Sequence, residues 1–277
     1  QAEDGIRDLV RSRGLGDVYK RQIISDEYIP LRIPKWLRRP VQTDKSYSET
    51  HNALKKNGLH TVCEDAKCPN RHECWNHGTA TIMILGNICT RACRFCSILT
   101  GRPEGLDTDE PSRVADAVEK MNLKHVVITS VTRDDLRDGG AEIFAQTIER
   151  VKERMPKITV EVLTPDFWGR KENLYRVLDA GPIVFNHNIE TVKRLQRSIR
   201  SGATYNRSMK ILKLASEHSN IKVKSGIMVG LGETKNEVME TIGDLYENGV
   251  RLLTIGQYMC PTKEHAPIID LSNLMSF

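Results

Sequence analysis

From residue 80 onward the chain alternates between short β-rich runs and amphipathic helical stretches, and this alternation limits the possible folds more than any other feature. The β-rich runs lie at 81–85, 125–131, 158–163, 183–188, 223–229 and 252–258. The helical stretches lie at 111–121, 144–155, 172–180, 205–217 and 236–248. Strands that alternate with helices predict a parallel sheet joined by right-handed crossovers.

Polar loops follow every predicted strand rather than only the first one or two. This favours a barrel, in which the active site collects the carboxyl ends of all the strands, over an open, doubly wound sheet. We therefore predict an α/β fold: a partial (β/α)6 TIM-like barrel over residues 80–277, with an N-terminal cluster-binding arm at 23–79. Residues 1–22 show no strand or long helix pattern and are predicted to be a disordered or non-native extension.

Six of the seven cysteines form two sets of three. The first set is Cys63, Cys68 and Cys74, and the second is Cys89, Cys93 and Cys96. A structural zinc site takes four protein ligands, whereas three thiolates can hold a cubane iron–sulfur cluster and leave one iron open. Two clusters are therefore predicted, and they point to redox or radical chemistry.

Zinc remains an alternative at both sets. The first set could form a zinc knuckle with His72 or His77 as its fourth ligand, and a distant residue could complete a zinc site at the second. The seventh cysteine, Cys260, is expected to be a small buried hydrophobic residue rather than a ligand.

The bulk composition is that of an ordinary globular protein, with 39% hydrophobic and 28% charged residues. No apolar run reaches the ~18 residues of a membrane-spanning helix, and no secretory signal is seen. We expect an intracellular protein, cytoplasmic or mitochondrial if eukaryotic, in which clustered cysteines bind metal. The net charge of +5 is mild. The basic stretch at 32–39 is either a solvated arm or a docking surface for an acidic protein, and no nucleic acid or membrane partner is expected.

The second cysteine set resembles the radical S-adenosylmethionine superfamily. It has the spacing Cys89-x3-Cys93-x2-Cys96 in the loop after the first strand, and a glycine-rich segment, 226–233, ends the fifth. The resemblance implies that the open iron binds S-adenosylmethionine and that one electron then releases a 5′-deoxyadenosyl radical. The residues that it places at this cofactor are Thr129, Ser130, Asp135, Asn188, Glu190 and Gly230.

The residues around the first set resemble the lipoyl synthase family. The segments that carry this resemblance are 62–70, 73–86, 127–140, 185–191, 224–234 and 253–258, and it covers about residues 33–267. It implies insertion of two sulfur atoms at C6 and C8 of a protein-bound octanoyl-lysine. A 4Fe–4S cluster on Cys89, Cys93 and Cys96 would generate the radicals, and an auxiliary 4Fe–4S cluster on Cys63, Cys68 and Cys74 would donate the sulfur.

The same resemblance implies the partners: octanoylated lipoyl carrier domains, such as the glycine cleavage H protein and the E2 type of 2-oxoacid dehydrogenases. A ferredoxin or flavodoxin would deliver electrons, and a monomer is expected. The family's C-terminal Arg-Ser-Ser-Tyr element, whose serine ligates the auxiliary cluster, is not found in this sequence. The resemblance therefore does not establish that this chain completes the whole reaction. The alternatives are another radical sulfur-inserting enzyme or an inactive fragment that only binds iron–sulfur or zinc.

Overall fold

The computed structural model describes residues 60–61, 74–75, 77–218 and 221–271. Several features singled out in the sequence lie outside the described residues: the extension at 1–22, the basic stretch at 32–39, and the first-set cysteines Cys63 and Cys68. The predicted boundaries at residues 22 and 79 accordingly stay predictions.

A seven-stranded sheet lies at the centre of the described structure. Its strands are β1 (His60–Thr61), β2 (Thr79–Ile84), β5 (His125–Ser130), β6 (Thr159–Leu163), β7 (Val184–Asn186), β8 (Lys222–Val229) and β9 (Leu252–Gln257). They are neighbours in that order; β1 pairs antiparallel with β2, and every other pair is parallel. Two short strands, β3 (Ile88–Cys89) and β4 (Leu99–Thr100), form a separate parallel pair.

Helices connect the parallel strands. They are α1 (Glu110–Lys120), α2 (Ala141–Arg154), α3 (Lys171–Asp179), α4 (Gln196–Ile199), α5 (Tyr205–His218) and α6 (Lys235–Glu247). Two 3-10 turns lie at Phe167–Gly169 and Lys193–Leu195. Pro111 lies in the first turn of α1, where a missing N–H costs nothing, and Thr234 caps α6 with its side chain.

The predicted fold class is confirmed. The six parallel strands follow one another in space as they do in sequence, and within the described residues β2 and β9 are not paired with each other, so the barrel is partial. All six predicted strands and all five predicted helices are present, with ends shifted by a few residues at most. The elements β1, β3, β4 and α4 were not predicted, because segments of two to four residues are too short to show a periodic pattern.

The alternation of side chains along the strands separates the core from the interior of the barrel. In β5, Val126 and Ile128 are fully buried in the main hydrophobic core, whereas Thr129 lines a cavity. Phe144 and Ile148 on α2 are buried in the same core. Each such side chain contributes about 1.5–3 kcal/mol through burial, so this layer fixes the strands whose ends carry the polar residues.

None of the helices in the described part of the chain is long and apolar enough to cross a membrane.

Candidate functional site

A cavity of about 490 Å³ opens at the carboxyl ends of the parallel strands. Its wall includes one or more residues from the end of each strand: Met83, Thr129, Ser130, Leu163, His187, Met228 and Gln257. The three second-set cysteines, Cys89, Cys93 and Cys96, line the same cavity. The structure therefore brings the predicted cysteine loop to the edge of the sheet at which a parallel barrel collects its functional residues.

Backbone amides point at the first of these cysteines. The N–H groups of Arg91 and Thr132 both donate to Cys89 Sγ, each at 3.4 Å. Thr132 belongs to the loop after β5, and its carbonyl accepts hydrogen bonds from the backbone N–H and the hydroxyl of Thr90. Two amide donors stabilise a negatively charged sulfur, so this position suits a thiolate ligand.

The pKa values of the other two cysteines are raised by burial. Burial raises the pKa of the Cys93 thiol to about 12, although the nearby Arg200 cation opposes the shift, and burial also raises the pKa of Cys96. Deprotonating such thiols needs a strong local positive charge, which a coordinating metal supplies. The donor set therefore fits a metal group in the cavity.

The sulfur atoms of the three cysteines line a shared cavity and do not converge on one point. Among the residues that the structure describes, no three His, Cys, Asp or Glu side chains are grouped to hold a single metal ion. A cubane cluster places each thiolate on a different iron. The arrangement of Cys89, Cys93 and Cys96 around one cavity fits that distribution.

Arg91 anchors the cysteine loop from within. Its guanidinium donates to Asp134 at 2.7 and 2.9 Å and to Asp166 at 2.8 and 3.1 Å. Asp166 is completely buried; burial alone would raise its pKa, but the hydrogen bonds from Arg91 outweigh this and lower it to about 2. The hydrogen bonds to Asp134 and to the ionised Asp166 fix the loop between Cys89 and Cys93.

A second support lies where β2 leads into the loop. Leu85 has a left-handed backbone, with φ 68°, and its N–H donates to the buried Glu110 carboxylate at 2.7 Å. Arg133 donates to the carbonyls of Leu85 and Gly105 and pairs with Asp135. This turn directs the chain from the end of the strand to Cys89.

Four of the six residues predicted at the cofactor line the cavity: Thr129, Ser130, Asn188 and Glu190. The Ser130 hydroxyl is buried and has no hydrogen-bond partner within the described residues, and the same holds for the Thr164 hydroxyl, which also lines the cavity. Buried hydroxyls without partners are rare in folded proteins. These two groups can therefore accept or donate hydrogen bonds to a bound polar molecule.

Glu190 brings a carboxyl group to this wall. Burial raises its pKa, while the Arg200 cation and a hydrogen bond with Asn188 act in the opposite direction. Arg200 also lines the cavity and donates to the Ile189 carbonyl and the Ser208 hydroxyl. The wall thus carries a buried cation next to acidic and thiol groups.

The other two predicted residues, Asp135 and Gly230, do not line the cavity. Asp135 pairs with Arg133 at 2.8 Å, and the hydrogen bonds from Arg133 lower its pKa. Gly230 has φ +104°, and a Cβ there would collide with the Gln257 side chain and the Asp270 carbonyl. The close backbone approach at Gly230 is therefore to the chain's own C-terminal segment.

Three charged residues of the site were not predicted from the sequence: Arg91, Asp166 and Arg200. Arg91 lies between two predicted ligands, and Asp166 comes shortly after the end of a predicted strand, so both positions carried a usable signal. Arg200 lies in no recognised motif, and only the folded chain places it beside Cys93. Cys74 is half-buried and packs against the main core.

Comparison with protein families gives two matches. Residues 83–245 match the Radical SAM superfamily, and residues 2–68 match the N-terminal domain of lipoyl synthase of the Radical SAM family. Among curated proteins, the lipoyl synthase of Geobacillus sp. (strain WCH70) is 54% identical over 241 residues, which are 86% of this chain and 81% of that protein. The lipoyl synthase of Bacillus subtilis (strain 168) is 52% identical over 240 residues, 86% and 80% of the two chains.

Solved structures with the same fold are more distant in sequence. Methylornithine synthase (PylB) aligns with a TM-score of 0.56 and 15% identity over 84% of this chain and 65% of that one. Streptococcus suis SuiB bound to its precursor peptide SuiA aligns with a TM-score of 0.57 and 14% identity over 92% and 53% of the two chains. At this identity the likeness concerns the fold alone.

Proposed function

The chain belongs to the lipoyl synthase family of the radical SAM superfamily, and on that premise we propose that the cavity at the carboxyl ends of the strands is its radical-generating site. The enzyme inserts two sulfur atoms at C6 and C8 of an octanoyl chain linked to a lysine of a lipoyl carrier protein. It uses S-adenosylmethionine and 4Fe–4S clusters. When bound, these groups supply the radical that removes a hydrogen atom from each unactivated carbon.

One observation carries the proposal: the thiols of Cys89, Cys93 and Cys96 share one cavity with the buried hydroxyls of Ser130 and Thr164, which have no hydrogen-bond partner within the described residues. We assign the three cysteines to the radical SAM cluster. Arg91 holds their loop through Asp134 and Asp166.

The contacts to S-adenosylmethionine are assigned to Thr129, Ser130, Asn188 and Glu190. Their support is that all four line the cavity and that the Ser130 hydroxyl has no partner within the described residues. Asp135 and Gly230 lie outside the cavity wall, and we assign them supporting roles. Asp135 fixes Arg133, and Gly230 allows the C-terminal segment to approach β8 closely.

The auxiliary cluster is assigned to Cys63, Cys68 and Cys74, and its role is to donate sulfur. The match of residues 2–68 to the N-terminal domain of lipoyl synthase supports this assignment. An alkyl radical must meet its sulfur donor at contact distance, so this cluster has to face the mouth of the cavity. The described residues include only Cys74 of this set.

The carriers that we propose are the octanoylated domains of the glycine cleavage H protein and of the E2 type of 2-oxoacid dehydrogenases. The electron donor is a ferredoxin or flavodoxin, and the enzyme acts as a monomer. Clustered thiols in the chain's first hundred residues need a reducing compartment, which supports a cytoplasmic location, or a mitochondrial one in a eukaryote.

Mass spectrometry of an octanoyl-lysine peptide tests the proposal. The chain is reconstituted anaerobically with iron and sulfide and incubated with the peptide, S-adenosylmethionine and dithionite. We expect 5′-deoxyadenosine and sulfur in the peptide. Cys93→Ala should abolish both products, whereas Cys68→Ala should leave 5′-deoxyadenosine and abolish sulfur insertion.

Cys260→Ala is the matched control, because Cys260 is the cysteine outside both sets and does not line the cavity; its thiol donates to the Thr262 carbonyl at 2.9 Å. It should keep the activities of the unchanged chain. If Cys93→Ala still cleaves S-adenosylmethionine at the normal rate, the assignment of the cluster is wrong. Deoxyadenosine without sulfur in the unchanged chain would instead place the fault at the auxiliary site.

A further inference from the structure

Trp168 is a large aromatic side chain that a strained turn holds out to solvent. Phe167 and Trp168 both have left-handed backbone conformations, with φ 42° and 55°, which are strained for residues other than glycine. The Asp166 side chain accepts a hydrogen bond from the Trp168 N–H at 3.2 Å. The Asp166 backbone carbonyl accepts a second from the Gly169 N–H at 2.7 Å. Phe167 is buried by this turn, while Trp168 stays 47% exposed. Strain of this kind is concentrated at functional positions.

Cationic side chains lie over the indole and along the same turn. The Arg207 guanidinium lies 4.7 Å from the ring centroid, and a Cβ on Gly169 would contact both Arg207 and the Lys210 ammonium group. Arg170 is exposed and donates to the carbonyl of Arg137, which is also exposed. The Trp168 patch is defined here as Trp168, Arg137, Arg170, Arg207 and Lys210.

The acidic group beneath the patch cancels only part of its charge. Asp166 is completely buried and shared between Arg91 and Arg207, at 2.8 Å from each. The positive charge that the patch presents to solvent therefore comes from Arg137, Arg170 and Lys210, which are exposed. An exposed aromatic side chain together with exposed arginine and lysine is the composition of a protein-docking surface for an acidic partner.

The Trp168 patch touches the cysteine loop but does not open into the cavity. The Arg91 guanidinium lies 5.3 Å from the Trp168 ring centroid, and the Arg91 N–H donates to Cys89 Sγ at 3.4 Å. None of the five patch residues lines the cavity. A protein docked here comes close to the cluster loop from outside the barrel, without inserting anything into the site.

We infer that the Trp168 patch is the docking surface for the acidic protein that delivers electrons, a flavodoxin or ferredoxin. This rests on the proposed function, because only a reducible cluster in the loop requires such a partner. One electron passes from the donor's reduced cofactor to the cluster; the donor is oxidised by one electron, the cluster is reduced by one, and no bond or proton is involved. The octanoyl carrier is a different partner, because its acyl-lysine must enter the cavity.

Binding of flavodoxin to the reconstituted chain tests the inference directly. The variant Arg170→Glu/Lys210→Glu should raise the dissociation constant roughly tenfold at low salt, and the difference should shrink at high salt. Trp168→Ala should weaken binding at all salt concentrations. The matched control is Lys157→Glu/Lys222→Glu, which makes the same change of charge at the amino ends of β6 and β8 and should bind normally.

Activity measured with two different electron sources distinguishes a defect in docking from a defect in the reaction itself. With dithionite, Arg170→Glu/Lys210→Glu should form 5′-deoxyadenosine at the normal rate, whereas with flavodoxin it should be slower. Unchanged flavodoxin binding, or weakened binding of the octanoyl carrier in its place, would overturn the inference. Failure of the unchanged chain with dithionite would count against the proposed function alone, because the binding measurement stands apart from it.

Discussion

His187 shows how one buried side chain at the cavity is held in a single protonation state. Its Nδ1 lies 2.8 Å from the Thr164 carbonyl, which only accepts, so Nδ1 carries the proton. Its Nε2 lies 2.9 Å from the Ser208 hydroxyl, which in turn accepts from Arg200. Burial first, and then the Arg200 charge, lower the pKa of His187 to about 4. The imidazole is therefore neutral across the physiological range.

This neutrality makes stability depend on pH. A histidine in the unfolded chain takes up a proton near pH 6.5, while folded His187 does so only near pH 4. The unfolded state therefore holds more protons between these values, and the contribution of His187 is complete above pH 6.5 and falls as pH drops, by about 3 kcal/mol in total. Urea denaturation of the metal-free chain from pH 7 to 4 should show a shallower loss in His187→Gln. Equal slopes in the two chains would contradict this origin.

Arg91 is the residue on which the cysteine loop depends most. Lysine keeps the charge but cannot make the paired hydrogen bonds to both Asp134 and Asp166. We expect Arg91→Lys to fold and to lose iron to a chelator roughly tenfold faster than the unchanged chain. Arg113→Lys is the control, since Arg113 pairs with Asp107 on the surface. The role given to Arg91 is wrong if the two variants lose iron at the same rate.

At the scale of elements, helix α6 depends on a capping box at its first turn. The Thr234 hydroxyl accepts the Glu237 N–H, and the Glu237 side chain accepts the Thr234 N–H. Thr234→Ala should lower the free energy of unfolding by about 1 kcal/mol in urea denaturation. Thr234→Ser keeps the hydroxyl and should lose much less. Equal losses would show that the cap does not contribute.

The elements were predicted well because their signals are local. The glycines at 181 and 249 end α3 and α6 with positive φ values of 75° and 87°, a backbone conformation that glycine adopts readily and that marks a helix end locally. The strained turn at Trp168 was not predicted, because its left-handed residues are not glycine and are held by Asp166. The pairing of β1 with β2 and the contact between Arg91 and Asp166 join residues far apart in the chain, which periodicity cannot detect.

At the scale of the whole molecule, the last described residues contact the cysteine loop and the end of β8. His265 donates from Nε2 to the Cys96 carbonyl at 2.9 Å, and the Ala266 N–H donates to the Arg94 carbonyl at 2.9 Å. The Ile269 N–H donates to the Gly230 carbonyl at 2.8 Å. Residues 259–271 thus hold the cysteine loop against the end of the barrel.

Removing residues 259–271 should weaken iron binding while leaving the fold intact. A chain that ends at Tyr258 should keep its helical circular dichroism but retain less iron after chelator treatment than a chain that ends at residue 271. The reason is that the loop carrying Cys93 and Cys96 loses its C-terminal hydrogen bonds while the sheet stays intact. Equal iron retention in the two chains would show that the segment does not support the loop.

The contact between His265 and Cys96 also sets an order of events during synthesis. Its partners are 169 residues apart, so at roughly 5–20 residues per second the ribosome releases His265 about ten to thirty seconds after Cys96. Throughout that interval the nascent cysteine loop lies outside the ribosome, whereas the segment that packs over it has not yet emerged. Delivery of iron and sulfide to these thiols is therefore least obstructed before residues 259–271 emerge, because this segment then packs against the cysteine loop.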